Sequence, residues 1–319
     1  MKNVVVVGSY NQDHVWRVDQ FPRAGETRRG HAFATGPGGK GFNQAVACAR
    51  QGTATTFIGA LGADAIGAHA QRLALAEGID GCWAPPPPLP TGTACILVDS
   101  TAQNSIVVTL GANEHLDPQF VRRKLERAEA GVLLCQLETN LDAVAAAFAA
   151  CAPTTIRILN PAPVHPALDS ELLANVDILT PNESELAQLL RQIHKTEIAP
   201  ESVATCSDDE LHALCRRLGL PTVILTLGSR GCFVSHADAN LRGDASRFYR
   251  VPAETVVAVD TTGAGDAFNG GLAAILSTDP MPFRKAVLSA NRIAALSTES
   301  HGAAASMPTA AEVRARFGA

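Results

Sequence analysis

The sequence predicts an α/β fold: a doubly wound, mainly parallel sheet flanked by helices, with a small β-sheet lid set on it. Three observations carry this expectation. Short runs of consecutive apolar, β-branched residues recur along the chain and alternate with helical stretches, as expected of strands buried on both faces of a parallel sheet. Two segments, His14 to Phe33 and Thr93 to Val108, instead alternate apolar and polar residues in the manner of half-exposed antiparallel strands. At 319 residues the chain is too long for a minimal domain and short for three, which suits one large domain carrying a small accessory element.

The first run, Val4 to Val7, ends at Gly8, and Thr55 to Ile58, Val132 to Cys135, Ile156 to Leu159, Asp177 to Leu179 and Val223 to Leu225 read as further strands. Leu141 to Ala150 and Leu211 to Leu218 are helical stretches between them. A sheet wound in this way carries its ligand sites at the carboxyl ends of its strands. The alternating segments form a lid inserted at about 13–35 and 91–110 into a domain spanning 1–319; by pattern alone this sheet is either a moving cover or a decorative pair of hairpins. Pro85 to Pro88 is a stiff connector. Thr196 to Ser207 is polar with no period and reads as a surface insertion.

Hydrophobic residues make up 46% of the chain and charged residues 18%, ordinary globular proportions. Lys and Arg number 26 against 31 Asp and Glu, for a formal charge of -5, and the longest basic run is only Arg122-Arg123-Lys124. A nucleic-acid partner is disfavoured, because it calls for a positive field. Met1-Lys2-Asn3 leads into only four valines before Gly8, too few for a signal-peptide core or a membrane span, so a cytoplasmic protein with no membrane partner is expected. Eight cysteines and nine histidines are scattered without metal-ligand spacing, which speaks for reduced core thiols and against a zinc site.

Two glycine-rich motifs carry chemistry. Gly36-Pro-Gly-Gly-Lys-Gly matches the dinucleotide fingerprint in form, but no buried strand leads into it and Lys40 would crowd a pyrophosphate. It also fails as a Walker A loop, with Ala34 in place of the first glycine and Gly41 after the lysine. It opens an amphipathic helix whose first turn exposes backbone N–H groups beside Lys40 and Asn43; such an end suits a hydroxylated ligand, the alternative being a glycine turn with a solvated lysine. In Asp260-Thr-Thr-Gly-Ala-Gly-Asp266, the small residues Gly263, Ala264 and Gly265 let a phosphate approach the backbone at a helix start. Asp266 in that first turn is either a helix-stabilising carboxylate or, beside such an anion hole, a general base.

With GSYNQD (8–13), GGKGFNQA (38–45), QLE (136–138), NPAP (160–163), TPNE (180–183), TLGSRG (226–231) and DTTGAGDAFNG (260–270) on the chain in this order, the sequence resembles the PfkB-type carbohydrate kinases, and among them the ribokinases, nearly end to end. The resemblance implies a sugar pocket of Asn11, Asp13, Gly39, Lys40, Asn43 and Glu138, with Asp266 as the base at the hydroxyl to be phosphorylated. It assigns Asn182 and Glu185 to the phosphate and magnesium side of ATP. Thr226, Leu227, Gly228, Ser229, Arg230 and Gly231 become the nucleotide loop, with Gly265 at the phosphates and Asn291 near the adenine. Taken singly, Asp13 serves equally as a turn residue, Glu138 as a surface acid and Asn182 as a helix cap.

The resemblance further implies a potassium ion beside the anion hole, at Asp260, Thr262, Ser297, Ser300, Gly302 and Ser306, held mostly through backbone carbonyls. Magnesium enters with ATP. The expected reaction is phosphorylation of a sugar primary hydroxyl, D-ribose to D-ribose 5-phosphate first. Fructose, 2-keto-3-deoxygluconate or a nucleoside is the alternative substrate, since Tyr10 and Phe42 flank the pocket motifs and a larger ligand could stack on them. A non-catalytic sensor is weakened by the joint presence of Asp266 and Glu185. A homodimer formed through the lid is expected from the same resemblance.

Overall fold

The computed structural model describes residues 3–101, 103–278 and 281–318. The strand-forming runs assemble a sheet of nine strands: β1 (Asn3–Val7), β4 (Thr55–Gly59), β5 (Asp80–Trp83), β8 (Ala130–Cys135), β9 (Ile156–Leu159), β10 (Ile178–Leu179), β11 (Thr222–Thr226), β12 (Cys232–His236) and β13 (Phe248–Val251). Their order is β13-β12-β11-β10-β9-β8-β1-β4-β5, parallel from β11 to β5 and antiparallel at β12 and β13. The winding reverses between β1 and β8, which opens a crevice at the carboxyl ends of those two strands.

Helices cover both faces because each buried strand is apolar on both. Along β1, Val5 and Val7 face one core with α3 (Pro118–Leu125), α4 (Leu141–Ala150), α6 (Glu183–His194) and α8 (Asp208–Arg217). Val4 and Val6 face the other, with α1 (Lys40–Arg50), α2 (Ala65–Ala76), α9 (Ala264–Leu276) and α10 (Phe283–Ser297). All four valines are fully buried, which at roughly 1.5–3 kcal/mol per side chain makes β1 the anchor of both layers.

The second sheet has four strands in the order β3-β2-β6-β7, with β2 (Asn11–Arg17), β3 (Ala32–Gly38), β6 (Gly92–Val98) and β7 (Asn104–Thr109). Its central pair, β2 with β6, is parallel, where alternation had suggested antiparallel strands throughout. The cause is topological: β1 and β5 are parallel neighbours of β4, and each chain leaves its strand for the small sheet in the same direction. Two local hairpin pairings, β2–β3 and β6–β7, then complete it.

The segment 196–207 lies at the surface, and it also carries regular structure. Pro200 starts a short helix, α7 (Pro200–Thr205), that seats a fully buried Val203 in the core. One apolar residue in a polar stretch has no period to detect. Tyr10 and Phe42 are likewise core residues, 0% and 1% exposed and edge to face at 5.1 Å, so neither offers a face to a ligand. Among the described residues no helix is long and apolar enough to cross a membrane.

Candidate active site

The crevice between β1 and β8 collects polar side chains from both sheets. Ser9 and Asn11 follow β1, and Gln136 and Glu138 follow β8. Glu138 is tied to the β1 side: its Oε2 accepts from Ser9 Oγ at 2.6 Å, from the Lys40 backbone N–H at 2.9 Å and from Asn11 Nδ2 at 3.4 Å. With Oε2 so engaged, Oε1 is the oxygen left to accept from a ligand. The first-turn amides of α1 are therefore not exposed for a hydroxylated ligand, contrary to the reading of the glycine-rich motif. Lys40 N–H goes to Glu138, Gly41 N–H to Ser9 Oγ at 3.4 Å and Phe42 N–H to the Ser9 carbonyl at 2.9 Å.

Asp13 lies on β2, opposite Gly36 of β3 and Ala94 of β6. A Cβ at Gly38 would come within 2.3 Å of both Asp13 carboxylate oxygens, so glycine there leaves the carboxylate its space. Burial, with Glu138 and Asp266 nearby, raises the Asp13 pKa to about 7. Burial alone would lower the pKa of the half-buried Lys40, but the surrounding carboxylates of Asp266, Glu138 and Glu185 outweigh it and raise the value, so the ammonium persists at neutral pH.

Asp266 stands in the first turn of α9, 6% exposed. It reaches the crevice because α9 crosses α1 closely: a Cβ on Gly270 would lie 2.4 Å from the Gln44 carbonyl oxygen. In this position Asp266 Oδ2 accepts from Asn43 Nδ2 and Oδ1 from Gln44 Nε2, each at 2.9 Å. The Ala264 N–H turns back to the Thr261 carbonyl at 3.2 Å. Gly265 and Asp266 N–H, at the open start of the helix, have no acceptor among the described residues. Gly39 caps α1, and Gly263 caps α9 in the left-handed conformation.

Farther along the strand ends, Asn182 forms a parallel bridge to Thr226, bringing the β10 and β11 motifs together. Asn182 caps α6 in a reciprocal box with Glu185, whose two carboxylate oxygens accept from the Asn182 N–H at 2.8 Å and Nδ2 at 3.0 Å. The bland capping role is thus real, and Glu185, its pKa raised chiefly by burial, still faces Lys40 and Asp266. In the loop after β11, Gly228 and Ser229 are exposed while Leu227 is buried, and Arg230 pairs with Glu183 at 2.9 Å. Asn291 donates to the Pro252 carbonyl at 2.7 Å.

Behind the start of α9, the Asp260 carboxylate accepts from Thr262 N–H at 3.0 Å and Gly302 N–H at 3.1 Å, joining two of the segments named for a cation. These donors, with the Thr262 hydroxyl, hold its pKa below the usual carboxylate value despite burial. The Ser297 and Ser306 hydroxyls donate back to Ala294 and Ala303, so at those two positions the backbone carbonyl would serve a cation, beside the Asp260 carboxylate. Hard oxygen donors of this kind fit a monovalent cation.

Three residues absent from the motif reading also shape the site. Gln44 holds Asp266. Fully buried Asn113 accepts from the Tyr10 N–H and donates to the Tyr10 carbonyl and to Asn11 Oδ1. Ser9 joins Glu138 to α1. The GSYNQD and GGKGFNQA motifs contained Ser9 and Gln44, but Asn113 had no signal in its neighbourhood.

The family model for pfkB family carbohydrate kinases matches residues 1–310. The chain belongs to the pfkB family of carbohydrate kinases. A ribokinase of Haemophilus influenzae is 39% identical over 314 residues, covering 98% of this chain and 97% of that protein. Among solved structures, the ribokinase of Thermotoga maritima superposes with a TM-score of 0.84 at 32% identity, covering 99% of each chain. The ribokinase of Arabidopsis thaliana complexed with ribose and ATP gives 0.76 at 30% identity, covering 98% of this chain and 97% of that one. As a pfkB kinase the chain is an ATP-dependent sugar kinase, and the crevice between its two sheets is the candidate active site.

Proposed function

We propose that this kinase transfers the γ-phosphate of ATP to the primary hydroxyl of D-ribose, giving D-ribose 5-phosphate, in the cytoplasm. The observation that carries this reading is the convergence of Asn11, Asp13, Lys40, Asn43, Glu138 and Asp266 on one crevice from both sheets and two helices. Carboxylate and amide groups so placed bind vicinal hydroxyls in pairs and reject analogues lacking one. The relatives named ribokinase support the choice of sugar. With Tyr10 and Phe42 both in the core, neither offers a face on which a nucleoside base could stack.

In this reading Asp13, Asn11 and Glu138 Oε1 orient the sugar, and Asp266 accepts the proton of the attacking hydroxyl. The Gly265 and Asp266 amides, with Gly263 as the turn that exposes them, stabilise charge on the transferring phosphate. The Lys40 ammonium lies between the sugar carboxylates and Glu185 and draws the two substrates together. Thr226 and the exposed Gly228 and Ser229 flank the nucleotide, with Asn291 beyond them. Asn182 and Glu185, already hydrogen-bonded to each other, would meet magnesium through its water shell, and the metal would supply charge neutralisation at the phosphates. Potassium, held at Asp260, the Thr262 carbonyl and the loop bearing Ser297, Ser300, Gly302 and Ser306, would fix the backbone behind the phosphate site. The small sheet acts as the lid that excludes water.

The test is transfer of radiolabelled γ-phosphate to a panel of pentoses, hexoses and nucleosides. D-ribose is expected to give the highest kcat/KM; a nucleoside or hexose ahead of it by tenfold would overturn the substrate. The small sheet also exposes Phe33, Ile106, Val107 and Val108, an apolar surface that pairing of two lids would cover. A homodimer is expected in sedimentation equilibrium, and a monomer at micromolar concentration would remove it.

A further inference from the structure

We infer that Gln44 is a positioning residue for the base, and that its amide is locked from behind so that a donor always points at Asp266. The lock begins at a group whose polarity is fixed. The Thr180 backbone carbonyl only accepts, so the Asn160 side chain must turn its Nδ2 toward it, at 3.1 Å. Asn160 Oδ1 then faces Gln44, and only the Gln44 Nε2 can meet it, at 3.1 Å. The same Nε2 has one further proton, and that proton is given to Asp266 Oδ1 at 2.9 Å. The Gln44 Oε1 is left to accept from Gln136 Nε2 at 2.5 Å. Every orientation in the chain follows from a single backbone carbonyl.

Gln44 is fully buried, and no solvent competes for these bonds. Burying an amide this deep is favourable only when its donors and acceptor are matched, as they are here. Because Asn43 takes Oδ2, the two amides fix the plane of the Asp266 carboxylate from two sides. Each oxygen retains a lone pair for the substrate hydroxyl. Gln44 is fully buried and meets the site only through the Asp266 carboxylate, so its effect passes through Asp266. It lies one residue beyond Asn43, on the buried side of α1, at the point where α9 crosses over Gln44 itself.

The inference rests on Asp266 being the base, and the experiment separates the two claims. Asp266→Asn, Gln44→Met and Gln44→Glu are purified, shown to be folded by circular dichroism, and assayed with ribose and ATP over pH 5.5 to 9. Gln44→Met keeps the length of the side chain and removes the donor. Its kcat is expected to fall on the order of ten- to a hundredfold, with KM for both substrates within about twofold, as for a misaligned catalytic group. Gln44→Glu puts a second carboxyl beside Asp266, which Asp13, Lys40 and Glu185 also face. Two carboxyls in contact share a proton, so the acidic limb of kcat is expected to move up by about one pH unit or more, with activity returning in alkali. Turnover retained in Asp266→Asn overturns the base and the inference with it. If Asp266→Asn is inactive while Gln44→Met keeps kcat within twofold, or loses only thermal stability or substrate affinity, Gln44 is a packing residue and the inference alone fails. An unmoved acidic limb in Gln44→Glu has the same meaning, and if that variant does not fold, Gln44→Met decides.

Discussion

At the scale of single residues, the site gathers several carboxylates, and the surroundings of one of them set its charge. Asp13 is the one poised near neutrality, raised to about 7 by burial first and by Glu138 and Asp266 second. A carboxylate accepts two hydroxyl donors, whereas a carboxylic acid must give one acceptor site to its own proton. Sugar affinity is therefore expected to rise as pH increases through about 7, and to level off above it. A sugar titration from pH 6 to 8.5 checks the sign; Asp13→Asn should bind more weakly and lose most of the pH dependence. Read singly, Asp13 and Glu138 are polar residues after strands, and only the family resemblance assigned them to a sugar. Glu138 looks like a surface acid until Ser9 and the Lys40 N–H, 129 and 98 residues away, are found on its Oε2. Asn113 and the hold of Gln44 on Asp266 were out of reach for the same reason, since their partners lie 102 and 222 positions off.

At the scale of elements, α1 does more than begin the candidate sugar site. Its other end holds the loop that would carry the monovalent cation. Arg50 Nη1 donates to the Ala305 carbonyl at 3.0 Å and the Met307 carbonyl at 2.7 Å, on either side of Ser306. Glu77 fixes the same guanidinium from behind with two bonds of 2.9 and 2.7 Å, and Gln51 donates to the Pro308 carbonyl at 2.7 Å. Charge-assisted bonds that fix the shell around a cation site commonly alter its affinity by tenfold or more. Arg50→Met is thus expected to lower stability by about 1–3 kcal/mol and to raise the potassium concentration at half effect by about tenfold. The readout is the rise of Tm with potassium chloride against tetramethylammonium chloride at equal ionic strength, which cancels general screening. Equal shifts in the two salts for the unsubstituted protein would take the cation out of the reading. An unchanged half-effect concentration in Arg50→Met would leave Arg50 a purely structural clamp. The sequence marked α1 by its glycine-rich start and drew attention to the wrong property there. Its first amides serve Glu138 and Ser9, and what α1 contributes is a rigid connection between two parts of the site.

At the scale of the whole molecule, the doubly wound class was legible because buried parallel strands leave continuous apolar runs, while the strand order, which puts the winding reversal between β1 and β8, came from the structure. The antiparallel edge was not legible, because β12 and β13 mix polar residues into the strand, and those residues build a network at the opposite end of the sheet. His236 pairs with Thr222, the first residue of β11, whereas Thr226 at the other end reaches Asn182. The fully buried His236 imidazole contacts the Thr222 hydroxyl through Nδ1 at 3.0 Å and the Asp244 carboxylate through Nε2 at 3.1 Å. Asp244 also accepts from the Tyr249 hydroxyl and, more loosely, from the Arg284 N–H at 3.4 Å. This network ties β11, β12, β13 and α10 together at that edge of the sheet. Burial lowers the His236 pKa, and Arg242 and Arg216 act in the same direction against the pull of Asp244. A histidine whose folded value lies below the unfolded value of about 6.5 binds more protons when unfolded. Its contribution to stability is therefore complete above about pH 6.5 and is lost as pH falls, by at most about 1.4 kcal/mol per pH unit. Urea denaturation from pH 8 to 5 is expected to show this decline, and His236→Gln, which cannot titrate, should flatten it by up to one proton while lowering stability at pH 8. Turnover at pH 8 should change by less than about twofold, since the network is separated from the crevice by the length of the strands. An identical pH slope in the variant would mean that His236 is not the group whose protonation opens this edge.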